Sequence, residues 1–315
     1  MKTPDVLSIG EPMVELCATS PGRLSVVEEF KRGWGGDTSN FAVATARLGG
    51  SAGYVCRLGG DEFGRSFLDL WRREGVDASR VIVEPDGFTA VYIISFTEGG
   101  GHDFTYYRAG AAASRYSPRD LDTEYVARAK VLHTSGISLA VSGSLREASL
   151  EAMRICREAG GRVSFDVNMR PKLWPLDVAR AACGRAVGNS DVVFASVEDT
   201  HTLYGVGEPE GAAEKLRSLG AGTAVIKQGG EGCHVSSEEA SFDSPGYSVD
   251  VVDTTGSGDA FDAAFMIGLL EKWGMEKSAA FANAVGALTA TGLGAVAPIP
   301  TRERALGLMA SRRRS

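Results

Sequence analysis

The segment Asp253-Thr254-Thr255-Gly256-Ser257-Gly258-Asp259-Ala260-Phe261 follows the apolar pair Val251-Val252 and opens an apolar run that reads as a helix over about 258–272. Gly256, Ser257 and Gly258 can turn several backbone N–H groups toward one hollow at the helix start, which suits the charge on a transferring phosphate. Asp259, in the first helical turn, could face the same hollow and take the proton of an attacking hydroxyl. The same residue types would equally serve a plain turn and a capped helix, so the local sequence leaves both uses open. GxxxxGK[ST] is absent, and no GxGxxG follows the first strand. That strand, 6–10, runs straight into Glu11-Pro12, which argues against a dinucleotide dehydrogenase.

A second glycine cluster, Gly33-Trp34-Gly35-Gly36-Asp37-Thr38-Ser39-Asn40, would let backbone approach a polyhydroxylated substrate. Asp37 is either a helix cap or a hydroxyl ligand. Asn40 lies one turn into an otherwise apolar helix, where an amide is costly unless paired. Arg108 ends Tyr106-Tyr107-Arg108, and Arg170 ends Asp166-Val167-Asn168-Met169-Arg170, with Arg115 following the first. Two arginines at strand ends could clamp a carboxylate, which a neutral sugar would not require. A surface role for either one alone fits as well. Glu198, after the strand 191–195, stands where a parallel-sheet enzyme could hold Mg²⁺ through water. Lys227 and Gly229 close the next strand and could border a nucleotide. Asn283, Gly286 and Ala287 lie in a small-residue helix that could line a flat pocket or merely pack.

Composition narrows the field. Of 315 residues, 40 are glycine, well above the usual share of about 7%. They follow no collagen period and form no linker tract. A net charge of −7 with 43% apolar residues excludes a disordered chain. The pI near 5.3 argues against nucleic acid as a partner. With no signal-like or membrane-length apolar run, we expect a soluble, cytoplasmic protein. The five cysteines are dispersed without CxxC and read as reduced and structural; HExxH is absent.

The elements that must position these residues alternate strand and helix, the pattern of a mostly parallel sheet covered by helices. Strands are expected at 6–10, 52–57, 130–134, 162–167, 191–195 and 223–227. Helices are expected at 39–48, 63–74, 142–159, 175–183, 211–219, 258–272 and 277–289. Antiparallel edge strands are expected at 233–235 and 246–251. The rhythm breaks after Asp77: 81–83, 89–96 and 104–108 are strand-like, the last two joined as a hairpin by a turn at 98–102. A small sheet grafted on the main domain follows, with 12–34 supplying its other strands. The expected division is a core of 1–11, 35–80 and 112–315, and a β-sheet lid of 12–34 and 81–111.

In this order the segments resemble the ribokinase-like (PfkB-type) family of carbohydrate kinases over nearly the whole chain. The N-terminal signature runs through Gly35-Gly36 to Asn40 and on to Gly59-Gly60-Asp61-Glu62-Phe63-Gly64; the C-terminal one is Asp253 to Phe261. Asn283, Gly286, Ala287 and Thr291 resemble the family's adenine side. Gly10-Glu11-Pro12, Phe104 to Arg108, Ser135-Gly136-Ile137 and Asp166 to Arg170 are similar to the 2-keto-3-deoxygluconate kinases within it. The resemblance implies an α/β fold: a Rossmann-like three-layer αβα core with a small β-sheet lid, which in many relatives is also a homodimer interface. It implies ATP, Mg²⁺ and, in some relatives, a monovalent cation. Asp259 would be the base, and Gly256, Ser257 and Gly258 the anion hole. Gly35, Gly36, Asn40, Tyr92, Tyr106, Arg108 and Arg170 would meet a sugar acid. Asn168, Ser196, Lys227, Gly229, Gly256, Gly258, Asn283 and Gly286 would meet the nucleotide. One departure stands out: Ala195 takes the Asn place of the family's metal-organising Asn-x-x-Glu, leaving Glu198. Fructose, ribose, 5-keto-2-deoxygluconate or a related acid remain alternative acceptors, and a non-catalytic sugar or nucleotide sensor is the alternative of another class.

Overall fold

Neighbouring residues of the buried strands divide between two apolar cores. Val6 and Val192 join one, Leu7 and Val193 the other. Such burial on both faces is what a parallel sheet between helical layers requires. The computed structural model describes residues 4–96 and 101–312. The expected hairpin turn at Gly99 and Gly100 lies outside them.

β1 (Val6–Ile9) leads to β2 (Met13–Ala18), β3 (Phe30–Gly35) and α1 (Asp37–Arg47). β4 (Ala52–Val55), β5 (Arg57–Gly59), α2 (Glu62–Glu74), β6 (Ile82–Glu84), β7 (Ala90–Phe96) and β8 (His102–Tyr107) follow. The alternation resumes with α3 (Thr123–Ala127), β9 (Val131–Ser135), α4 (Gly136–Val141), α5 (Gly143–Glu158) and β10 (Arg162–Asp166). It continues through α6 (Leu176–Val187), β11 (Val192–Ser196), α7 (Val197–Tyr204), α8 (Pro209–Ser218) and β12 (Thr223–Lys227). β13 (Gly232–Ser236) and β14 (Ser241–Pro245) precede α9 (Ser257–Leu270), α10 (Met275–Thr289) and α11 (Arg302–Arg312).

The main sheet has the order β14-β13-β12-β11-β10-β9-β1-β4. Its pairings are parallel from β4 to β12 and antiparallel at β13 and β14. This mixed sheet with flanking helices is the α/β, ribokinase-like fold expected. The chain leaves β1 for β4 on one side and reaches β9 on the other, so the crevice beyond the C-terminal strand ends is the natural place for a ligand. A second sheet, β3-β2-β7-β8, carries the expected hairpin, with Tyr92 opposite Tyr106.

Several elements differ from the sequence pattern. Residues 82–84 pair in parallel with β5 rather than joining the second sheet. Residues 246–251 form no strand; the edge strand is the more polar 241–245. Gly246 ends that pairing by donating to the Glu231 carbonyl, and Val251 and Val252 stand exposed. The short helices α4 and α7 and the terminal α11 carry too little apolar periodicity to be legible. Among the described residues no helix is long and apolar enough to cross a membrane, and all five cysteines are buried and free.

Candidate active site

The C-terminal ends of β10 and β12, the segment after β10, the starts of α1, α4 and α9, and one face of the second sheet enclose a cavity of ≈ 530 Å³. Gly256 occupies the N-cap of α9 with φ 78 and no side-chain cap. A Cβ there would stand 2.4 Å from the Ala295 carbonyl oxygen, so both backbone shape and space demand glycine. Asp253 fixes the approach: Oδ1 accepts from Thr255 N and Oγ1 at 2.9 and 2.7 Å, while Oδ2 accepts from Gly294 N at 2.8 Å. The α9 terminus therefore presents unspent N–H groups toward the cavity, whose lining includes Gly256, Gly258 and Asp259. Ser257 Oγ is buried and without a hydrogen-bond partner.

Asp259 is half-buried and accepts one side-chain hydrogen bond, from Asn40 Nδ2 at 2.8 Å. Burial, then the nearby charge of Asp37, raise its pKa to about 7, against the pull of Asn40 and Lys227. A carboxyl poised there can accept a proton near neutral pH. Asp37 is buried, and its carboxylate accepts from Thr38 N at 2.8 Å and Asn168 Nδ2 at 3.0 Å. Burial still outweighs those bonds and holds its pKa above the ordinary value. Lys227 Nζ lies 2.9 Å from Asp166 Oδ2 and 3.2 Å from Asp262 Oδ1. Burial alone would lower its pKa, but these carboxylates hold it well above the ordinary value. A Cβ on Gly258 would stand 3.3 Å from this ammonium, which places the cation directly beside the α9 terminus. The remaining oxygen of Asp166, Oδ1, is buried on the cavity wall without a partner.

The opposite wall is aromatic and cationic. Met13, Tyr92, Phe104 and Tyr106 present one face of the second sheet to the cavity, and Arg108 and Arg170 line it as well. Tyr92 Oη donates to Glu15 Oε2 at 2.6 Å. Arg108 Nη2 lies 2.7 Å from Glu11 Oε2, an ion pair with Glu11 wholly buried. Arg170 is exposed, with only Nη1 engaged, on the Met169 carbonyl. Asn168 is held at φ 36, outside the usual range for a side-chain-bearing residue, which turns its amide to Asp37.

The model of the pfkB family carbohydrate kinases matches residues 3–302. The chain belongs to this family. This carbohydrate kinase is 37% identical over 265 residues to a 2-dehydro-3-deoxygluconokinase of Thermoproteus tenax, covering 83% of this chain and 80% of that protein. It is 34% identical over 316 residues to fructokinase-1 of Oryza sativa subsp. japonica, covering 97% and 98% respectively. Among solved structures, a putative ribokinase II from E. coli in complex with ATP and Mg²⁺ superposes with a TM-score of 0.90. Its identity is 25%, over 98% of this chain and 99% of that one.

The kinase's cavity gathers Gly36, Asn40, Tyr92, Tyr106, Arg108, Asn168, Arg170, Lys227, Gly256, Gly258 and Asp259. Gly35 lies just behind the wall, where a Cβ would meet Tyr92 Oη at 2.3 Å. Gly286 borders Ser257 across the α9–α10 crossing, and Gly229 is exposed at the end of β12 with open space around it. Four expected residues sit elsewhere. Glu198, expected at the metal, is exposed on the first turn of α7 because Asp199, not Glu198, turns inward. There Asp199 and Ser196 satisfy one another in a capping box, which occupies Ser196. Asn283 is buried, and its amide donates to Ser244 O at 2.9 Å, tying α10 to β14. Arg115 pairs with Glu84 away from the cavity. Among the described residues no group of three or more His, Cys, Asp or Glu is placed to hold a metal ion. Glu11, Asp166 and Asp262 are site residues to which the sequence assigned no role. The available signal was a charged residue directly after, or inside, a fully apolar element.

Proposed function

We propose that this kinase transfers the γ-phosphoryl group of ATP to the terminal hydroxyl, O6, of 2-keto-3-deoxygluconate or a closely similar sugar acid. The carrying observation is that one cavity is lined both by an Asp259 carboxyl poised near neutrality at the glycine-rich start of α9 and by Arg108 and Arg170. Asp259 takes the hydroxyl proton as the new O–P bond forms and the β–γ bridging O–P bond of ATP breaks. The N–H groups of Gly256 and Gly258 and the Lys227 ammonium stabilise the charge on the transferring group. Arg170, whose Nη1 alone is engaged, and Arg108 orient the acid end, so that the hydroxyl reaches Asp259. Magnesium bound with the nucleotide would supply charge neutralisation at the phosphates. Asp166, whose Oδ1 is buried without a partner, would be the residue to hold it, through water. The second sheet serves as a lid that excludes water from the reaction.

A neutral ketose is the second reading, favoured by the Glu11 carboxylate already paired with Arg108. The likenesses to a deoxygluconokinase and a fructokinase are of similar strength. An ATP-coupled assay with magnesium across 2-keto-3-deoxygluconate, 5-keto-2-deoxygluconate, fructose and ribose tests the proposal. We expect the highest kcat/KM for a keto acid, with Arg170→Ala raising the acid's KM. Phosphorylation of fructose but of no acid would refute the sugar-acid assignment.

A further inference from the structure

Arg108 does not wait for its ligand as a bare cation. Glu11 emerges from the end of β1, and its side chain is completely enclosed, with Oε2 2.7 Å from Arg108 Nη2. Neither carboxylate oxygen, nor Nη1 or Nη2 of Arg108, has a hydrogen bond of good geometry. The two groups stand at ion-pair distance, and Arg108 is also one of the residues lining the cavity. The backbone here is fixed: Gly36, at φ 89, packs so closely that a Cβ would stand 2.4 Å from the Glu11 carbonyl oxygen. Glu11 cannot follow Arg108 toward the cavity without moving β1 and the start of α1.

Resting on the sugar-acid reading above, we infer that Glu11 is an internal counter-ion that a substrate carboxylate replaces at Arg108, and that Glu11 takes up a proton as this happens. Two carboxylates facing one guanidinium in a dry site cannot both keep their charge cheaply. The one sealed from water is the one that neutralises. Its surroundings allow this: burial raises the Glu11 pKa to about 7 despite Arg108, and Asp37 adds to the rise. The other titratable groups facing it are Tyr54 and Cys56, both held protonated by burial. Arg108 is the single cation among its charged neighbours in this set. A neutral ketose brings no charge and leaves the Glu11–Arg108 pair intact. Glu11 would thus separate acids from neutral sugars by a proton rather than by shape.

The test is calorimetric binding to Asp259→Asn protein, which removes both turnover and the titration of Asp259. Titrations at pH 8 in two buffers of different ionisation heat count protons. We expect close to one proton taken up per 2-keto-3-deoxygluconate bound, and affinity falling about tenfold per pH unit above neutrality, the linkage slope for one proton. Adding Glu11→Gln should abolish the uptake and flatten the pH dependence. Acid binding without proton uptake, or uptake that persists with Gln at position 11, overturns the role of Glu11 while leaving the sugar-acid reading intact. The first count needs no change at position 11, so a misfolded Glu11→Gln protein would not rescue the inference. No acid binding where fructose binds overturns the sugar-acid reading and this inference together.

Discussion

Helices α1 and α9 begin alike and end up with different work. Each starts behind a glycine at positive φ, Gly36 at 89 and Gly256 at 78, with no side-chain cap and an aspartate in its first turn. The two helices are joined by Asn40 donating to Asp259. The difference lies in what surrounds each carboxylate. Asp37 is buried and receives a backbone N–H and the Asn168 amide. Asp259 has one side-chain donor and a free aspect on the cavity. The same local sequence device therefore gives one carboxylate that is enclosed with two donors and another that is half-buried with a single side-chain donor.

The comparison breaks most sharply at Asp259. Asp259→Asn should lower kcat by on the order of 10²–10⁴-fold with nucleotide binding retained, measured by steady-state kinetics and calorimetry. Gly256→Ala comes next, since the added Cβ meets the Ala295 carbonyl; a kcat loss of about 10²–10³-fold is expected, as for removing anion-hole donors. Gly36→Ala collides with the Glu11 carbonyl instead and should act chiefly on the sugar's KM. If both alanine variants lose kcat alike, the two helix starts are not functionally distinct.

Smaller effects come from the charges around Asp259. As the proposed base it has to be ionised, so kcat/KM should climb with pH through about 7. Asp37→Asn removes a like charge and should move that limb to lower pH; Asn40→Ala removes a donor to the carboxylate and should move it higher. Stability should run the other way. Native Asp259 and Glu11 bind protons more tightly than the unfolded chain, so their protonation stabilises the fold below about pH 4, and this is lost as pH rises through about 7. Tm should therefore decline between about pH 5 and 8, and decline less in Asp259→Asn. The smallest rate effect is expected for Tyr92→Phe, which leaves the ring in the cavity wall. Its cost falls on stability, about 1–3 kcal/mol from the buried Glu15 Oε2 that loses its donor, readable in urea denaturation.

How much of this was legible beforehand depends on sequence distance. The two glycine-aspartate helix starts, the β7–β8 hairpin and the alternating core were readable because each is local: a turn residue, a period, a cap. The pairing of Glu11 with Arg108, and of Lys227 with Asp166 and Asp262, was not, because each joins elements whose neighbourhood is set only by strand order. Glu198 and Asp199 show a finer limit. Both are acidic and adjacent, and only the capping geometry of Ser196 decides which one turns inward. Val251 and Val252 misled in the opposite sense, since apolar residues on an exposed loop look like a strand until the sheet is seen to end before them.

The Asn40–Asp259 hydrogen bond also joins residues 219 apart in the chain. At roughly 5–20 residues per second, a ribosome needs about 10–40 seconds to deliver the second partner after the first. Throughout that interval Asn40 and the start of α1 exist without Asp259. A nascent chain can thus bury its first strands early and still be chemically silent. Phosphoryl transfer becomes available only once the last quarter of the polypeptide has been made and has folded back onto the first.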